Sequence, residues 1–66
     1  MIIVGSQFIE LTRIDLDGKE KPIIININNI TNFFRVSSKQ TEIRFIDKTF
    51  LEVKETPQQI IDILEN

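Results

Sequence analysis

The chain is organised by short runs in which apolar and polar side chains alternate. The first run, QFIELTRIDL at residues 7–16, places Ile9 and Leu11 on one face, since neighbouring side chains in a strand point to opposite faces. Asp17-Gly18 follows, and this dipeptide is typical of a hairpin turn because glycine adopts positive φ without steric cost. The pattern predicts a β-strand that ends in a tight hairpin.

Further runs rich in β-branched and aromatic residues predict more strands. They are separated by turn signals at Asn28-Asn29, at the polar stretch 37–40 and at Asp47-Lys48. Met1–Val4 is open to two interpretations, a short edge strand or a frayed terminus. The chain is therefore expected to form an antiparallel meander of four to five strands, with the later ones at 23–27, 30–36, 41–46 and 49–54.

The final segment changes from a period of two to a helical period. Thr56 fits a helix N-cap, Pro57 the first helical position, and Gln59 the third position of a capping box. A helix this short is marginal alone and is expected to dock on the sheet. Its predicted apolar face contains Ile60, Ile61 and Leu64, with Ile63 beside them.

Length and composition indicate one small β-rich domain, residues 1–66. Domains of this size are marginally stable and often rely on a disulfide, a metal or a partner subunit. The chain has neither Cys nor His, which leaves oligomerisation as the expected support. The net charge of −2 favours neither nucleic acid nor an anionic membrane. No apolar run approaches the roughly 20 residues of a membrane span, and no secretory signal is recognisable, so we expect a cytoplasmic protein without membrane insertion.

Catalytic chemistry has little support in the sequence. Without His or Cys, neither a Ser–His nor a Cys–His pair is possible, and the remaining acids and lysines are scattered. Asp15-Leu16-Asp17-Gly18 is similar to the start of a calcium loop, but Asn26 stands at the twelfth position where that loop needs Glu. A hairpin turn explains the motif better. We therefore expect a non-enzyme that has no cofactor and no metal.

Two polar or aromatic groupings have alternative interpretations. Nucleic acid could stack on strand phenylalanines with arginines nearby, but no basic stripe stands out. The same phenylalanines could serve the core or an interface, which is the favoured interpretation. The asparagines could form a binding patch or, as we favour, end strands and fill turns. The residues concerned are Phe33, Phe34, Phe45, Phe50, Arg35 and Arg44 in the first grouping, and Asn26, Asn28, Asn29 and Asn32 in the second.

Several predicted strands carry adjacent large apolar residues, as in Ile23-Ile24-Ile25 and Phe33-Phe34. Each such pair sends one apolar side chain to each face of the sheet, and one short helix covers one face only. The uncovered face predicts a homo-oligomer, a dimer before any larger ring, that is held by the face opposite the helix. The predicted interface residues are Ile24, Phe33, either Phe45 or Ile46, and Phe50, and the member of each adjacent pair that faces outward is open by one step of register.

From Phe8 to Leu64 the chain resembles the flagellar and swarming-motility protein family of the FlbD type. The shared features are Leu11-Thr12-Arg13, Gly18 in the first turn, Asn26 followed four residues later by Ile30, and Val53-Lys54-Glu55 before an Ile-rich helix. The family usually has Gly in the last hairpin, where this chain has Asp47-Lys48.

The resemblance implies a small non-enzymatic accessory protein of the cytoplasm that supports flagellar motility or swarming, and it transfers no catalytic residues. The alternative is a small oligomeric binding or inhibitor protein of the kind that phages and mobile elements carry. Such a protein would sequester a ligand or a host protein.

Overall fold

The computed structural model describes residues 7–65, and Met1–Val4 lies outside them. The described chain folds into five antiparallel strands, one 3-10 turn and one C-terminal helix, which confirms the predicted mainly-β fold with a single helix. The strands differ from their predicted bounds by a few residues at their ends. The elements are β1 (Phe8–Ile14), β2 (Glu20–Asn26), the 3-10 turn (Ile27–Asn29), β3 (Ile30–Ser37), β4 (Gln40–Phe45), β5 (Phe50–Val53) and α1 (Pro57–Glu65).

The strand order is β2-β1-β5-β4-β3, so the first strand lies beside the last. The edge strands β2 and β3 are joined only by the 3-10 turn, which rises about 2 Å per residue. In a flat sheet those edges would lie roughly 19 Å apart, at four spacings of about 4.8 Å. The sheet is therefore strongly curled, and its two edges approach each other where β2 leads into β3.

The core lies between the curled sheet and α1. It consists of inward-facing residues from β1, β2, β4 and β5 together with two residues from the helix: Ile9, Leu11, Ile25, Ile43, Val53, Ile60 and Ile63. Within α1, Ile60 and Ile63 are buried, Ile61 is half-buried and Leu64 is exposed. The buried face of the helix is therefore rotated by about one residue from the predicted face. The spacing of the apolar positions does not fix the orientation in which a short helix packs on a sheet.

The start of α1 is fixed by the predicted capping box. The Thr56 hydroxyl accepts a hydrogen bond from the Gln59 backbone N–H at 3.1 Å, and the Gln59 side-chain oxygen accepts one from the Thr56 backbone N–H at 2.9 Å. These bonds satisfy two of the backbone donors that a helix N-terminus leaves unpaired. The prediction from Thr56, Pro57 and Gln59 is confirmed.

A buried carboxylate joins β1 to the segment that precedes α1. The Lys54 backbone N–H donates to the Thr12 carbonyl at 2.9 Å, as expected of neighbouring strands. At the next position of the strand pairing, the Glu55 carboxylate takes the place of a backbone acceptor. It accepts from the Thr12 backbone N–H and from the Thr12 hydroxyl, each at 2.9 Å. Glu55 is 7% exposed, and these two bonds satisfy a charge that would otherwise be costly to bury.

The β1–β2 and β4–β5 hairpins use the same turn. In the first, Asp15 donates to the Lys19 carbonyl at 2.8 Å and accepts from the Gly18 N–H at 2.9 Å. In the second, Phe45 donates to Thr49 at 2.9 Å and accepts from Lys48 at 3.0 Å. The fourth residue of each turn has positive φ, +84° at Gly18 and +73° at Lys48. This is the three-residue hairpin connection in which a type I turn precedes a left-handed residue.

Candidate interaction surface

The face of the sheet that points away from the core carries the even-numbered residues of the central strands. On this face Arg44 pairs across strands with Phe50, and Glu42 pairs with both Glu52 and Phe34. The face is mixed in character, because acidic, basic and aromatic side chains alternate from strand to strand.

One part of this face is a contiguous, mostly apolar surface, which we term the outer patch: Leu16, Phe34, Arg44, Ile46 and Phe50. Arg44 lies at its centre, since Phe50 is its cross-strand partner and its guanidinium carbon lies 5.1 Å from the ring centroid of Phe34. Phe50 and Ile46 line one groove, and Phe50 and Leu16 line a second hollow. Strands β3, β4 and β5 and two hairpin turns thus contribute to a single surface.

The apolar side chains of the outer patch are well exposed. Ile46 is 67% exposed and Phe50 62%, while Leu16 extends fully into solvent from the first turn. Single exposed apolar residues are ordinary on a protein surface, but a contiguous group indicates a site of contact with another molecule. Phe34 is less exposed, at 37%, because Arg44 lies over its ring.

Three of the five predicted interface residues are exposed and two are not. Ile24, Ile46 and Phe50 are exposed, whereas Phe33 and Phe45 are half-buried and pack against the core. The assignment of Phe33 to the outer face was therefore wrong, since its neighbour Phe34 faces outward. Of the alternatives Phe45 and Ile46, Ile46 is the outward residue.

A β-bulge explains the error at Phe33. The register between β3 and β4 shifts between Ile30 and Asn32. Ile30 and Phe33 consequently both pack against the core although they are three residues apart, which strict alternation forbids. Phe45 faces inward because it lies two residues after the buried Ile43, so the alternation along β4 had already indicated its direction.

Ile24 is exposed but takes no part in the contacts that define the outer patch. It pairs with Glu10 on β1 and lines neither of the two hollows beside Phe50. Ile46 and Phe50 are therefore the predicted interface residues that belong to the outer patch.

Charges in and near the outer patch are only partly balanced. Arg44 Nε lies 2.7 Å from Glu42 Oε2, a short charge-assisted bond along one strand. Glu52 is the direct cross-strand neighbour of Glu42 and makes no ion pair within residues 7–65. Like charges in directly opposed positions destabilise a sheet, so this pair favours an incoming positive group over an incoming negative one.

The last turn adds a second cation near the outer patch. Lys48 makes no ion pair in the described part of the chain, although Asp47 precedes it directly. Asp47 instead accepts from the Thr49 hydroxyl at 2.6 Å and from the Thr49 backbone N–H at 3.0 Å. The hydrogen bond from the hydroxyl, and then that from the backbone N–H, lowers the pKa of Asp47 below its ordinary value.

The two other groupings are divided between the fold and the surface. Asn26 accepts from the Asn28 backbone N–H at 2.9 Å, and Asn28 donates to the Gln7 side chain at 3.1 Å, which agrees with the turn interpretation for these two residues. Arg35 donates to the carbonyls of Ser37 and Ser38, at 3.0 Å and 2.8 Å. With Phe33 and Phe45 inward and Arg35 engaged, the members of the aromatic grouping left on the surface are Phe34, Arg44 and Phe50 of the outer patch.

No group of three or more acidic side chains within residues 7–65 is arranged to hold a metal ion. No helix in the same range is long and apolar enough to cross a membrane. Comparison of the chain with known protein families, with curated proteins and with solved structures gives no match. The outer patch is therefore the candidate functional site.

Proposed function

We propose that this protein is a small non-enzymatic accessory protein that acts by binding other protein chains through the outer patch. The observation that carries the proposal is the exposure of Ile46 and Phe50 beside Arg44, with exposed Leu16 lining a hollow on the other side of Phe50. Apolar anchors next to an arginine are the composition found at the centres of protein–protein interfaces.

A second copy of the chain is the simplest first partner. A standard interface buries about 800 Å² on each partner, which is roughly a sixth of the 4590 Å² accessible on this chain. The surface at the outer patch carries both Arg44 and Glu52, and a self-complementary two-fold interface needs both signs of charge. Burial of this surface would add stability that a domain of this size lacks.

Sedimentation equilibrium over micromolar concentrations tests self-association, with Ile46→Gln and Ile24→Gln as a matched pair. Both isoleucines are exposed, at 67% and 55%, but only Ile46 belongs to the outer patch. We expect the wild type to approach twice its 7.7 kDa mass, Ile46→Gln to shift toward the monomer, and Ile24→Gln to behave as the wild type. A wild type that stays monomeric, or two variants that behave alike, would reject the dimer.

The residues that carry the family resemblance also bear on the proposal. Leu11 and Val53 are buried, Thr12 bonds Glu55, and Gly18 has positive φ. These residues hold the fold, so the resemblance supports a shared fold, and the role in flagellar motility or swarming is part of our proposal. Flagellar basal-body or stator genes beside the coding sequence would support that role, whereas phage structural or defence genes would support the inhibitor alternative.

A further inference from the structure

A groove lies at the end of the outer patch where β3 begins and where β4 turns into β5. We term it the Lys48 groove; it has a volume of about 510 Å³ and is lined by Thr31, Asn32, Arg44, Phe45, Ile46, Lys48 and Phe50. Its floor is apolar, and its polar lining consists of side chains that donate hydrogen bonds. The lining therefore combines an apolar contact area with several donors.

The charge of the Lys48 groove is opposite to that of the whole chain. The sequence has 10 acidic and 8 basic residues, yet the described lining residues include two cations and no carboxylate. Arg44 is paired with Glu42 at 2.7 Å, whereas Asp47 bonds Thr49 and makes no ion pair with Lys48. Lys48 is therefore the groove cation that makes no ion pair within residues 7–65.

Two irregular features of the backbone meet at the Lys48 groove. Thr31 lies at the bulge of β3, and Lys48 has a φ of +73°, which is unfavourable for a residue with a Cβ. The equivalent position of the first turn is Gly18, which adopts the same conformation without that cost. Residues in sparsely populated backbone regions cluster at functional sites such as ligand sites.

A larger hollow of about 580 Å³ lies beside Lys54 and Lys39. Lys54 is paired there, since Glu20 Oε1 lies 3.4 Å from its Nζ, and Lys39 makes no ion pair within residues 7–65. The Lys48 groove differs in its apolar lining of Phe45, Ile46 and Phe50, whereas Ile14 is the large apolar residue of the hollow. The Lys48 groove is therefore the better candidate for a ligand that joins a carboxylate to an apolar group.

We propose that the Lys48 groove binds an acidic segment of a partner protein in which a carboxylate side chain stands next to an apolar one. The inference rests on the proposed function, since it assigns a ligand chemistry to one end of the outer patch. The carboxylate would bond the Lys48 ammonium and the Asn32 amide, while its apolar neighbour would contact Phe50 and Ile46. Because Glu42 and Glu52 lie beside Arg44 and would repel further negative charge, the segment carries one carboxylate, at the Lys48 end of the groove. Nucleic acid, a continuous polyanion, fits less well for the same reason.

The test is a titration of the isotope-labelled full chain with a capped peptide that carries a single glutamate flanked by leucines, followed by NMR chemical shifts. Matched peptides that contain glutamine for glutamate or serine for leucine serve as ligand controls. We expect shifts at Thr31, Asn32 and Lys48 with the first peptide and smaller shifts with both controls. An unchanged groove spectrum with the first peptide overturns the inference.

Lys48→Gln and Lys39→Gln form the matched pair of variants, since each removes one exposed charge from a hairpin turn. Lys39 lies at the opposite end of β4, outside the groove. Loss of one charge-assisted hydrogen bond is expected to weaken the affinity of Lys48→Gln roughly fivefold to tenfold, with little change for Lys39→Gln. Equal effects of the two substitutions, or tighter binding of an oligothymidylate than of the peptide, would also overturn the inference.

The outcomes for the groove and for the proposed function are separable. If Ile46→Gln disrupts self-association but the peptide leaves the groove unchanged, the ligand inference fails and the proposed function stands. If the peptide binds at Lys48 and the chain is monomeric, the dimer fails and the groove stands. If both occur, the peptide should weaken self-association, because Ile46 and Phe50 would serve both contacts.

Discussion

The β1–β2 and β4–β5 hairpin turns share one backbone conformation and differ in the residue at their left-handed position. Each turn begins with the same pair of backbone hydrogen bonds, and each has an aspartate whose Oδ1 accepts from a backbone N–H two residues later, at 3.1 Å for Asp17 and 3.0 Å for Asp47. The left-handed position that follows the aspartate is Gly18 in the first turn and Lys48 in the second.

The comparison indicates that the residue which best stabilises a turn and the residue which suits the surface around that turn can differ. Glycine is the residue that a left-handed position favours, and the first turn has it. The second turn has a lysine, and that lysine lines the groove at the end of the outer patch. The two turns therefore predict opposite responses to substitution.

The largest effect is expected from Gly18→Val. No heavy atom lies within 4 Å of the position that a Cβ would occupy at Gly18, so the cost comes from the backbone conformation alone. A β-branched residue at positive φ is strongly disfavoured, and we expect a loss of roughly 2 kcal/mol in the free energy of unfolding. Urea denaturation measures it, and Gly18→Asn, which tolerates this conformation, should lose clearly less.

The opposite sign is expected from Lys48→Gly. Relief of the unfavourable φ, less the entropy that glycine adds to the unfolded chain, should stabilise the protein by about 0.5–1 kcal/mol. Thermal unfolding should show a melting temperature that is higher by roughly 4 °C. The same variant should bind the glutamate–leucine peptide less well, because it lacks the Lys48 ammonium. A loss of stability on this substitution would contradict the prediction and mean that the Lys48 side chain stabilises the fold.

The smallest effect concerns Asp47, whose turn has a hydroxyl bond that the first turn lacks. Because the folded state lowers the pKa of Asp47, its bond to Thr49 adds stability at pH values above the ordinary aspartate pKa of about 3.9. That contribution disappears as the pH falls through the lower folded-state pKa. Thr49→Val should therefore reduce the melting temperature at neutral pH and less so in strong acid, whereas Thr49→Ser, which keeps a hydroxyl, should follow the wild type.

Much of this fold could be predicted because its signals are local. Asp17-Gly18 marks the first turn, because glycine adopts the positive φ that the turn requires. The capping box at Thr56 marks the helix start, because its side chains accept hydrogen bonds from backbone N–H groups three residues away. The pairing of β1 with β5 could not be read in the same way, because it joins segments about 40 residues apart. The facing of Phe33 depends on a bulge that interrupts alternation, and no residue type marks that bulge.

The candidate surface was predicted less well than the fold, for a related reason. Exposed Ile46 and Phe50 follow from adjacent apolar pairs, but their grouping with Leu16 and Phe34 depends on which strands are neighbours. The Lys48 groove was not foreseen at all. A signal was present in the sequence, since Asp47-Lys48-Thr49 occupies the same place in its hairpin as Asp17-Gly18-Lys19, and the alignment of the two turns would have placed Lys48 at positive φ.

The pair of hydrogen bonds from Thr12 to Glu55, the Thr12–Glu55 clasp, also has a consequence for the folding reaction. Thr12 and Glu55 are 43 positions apart, so the clasp closes a loop that spans most of the chain. Contacts at such separation form after the hairpins, because their loop-closure entropy is the largest. Removal of the clasp should therefore accelerate unfolding far more than it slows folding. The carboxylate that completes the ladder between the first strand and the last thus sets how long the native state persists once it has formed.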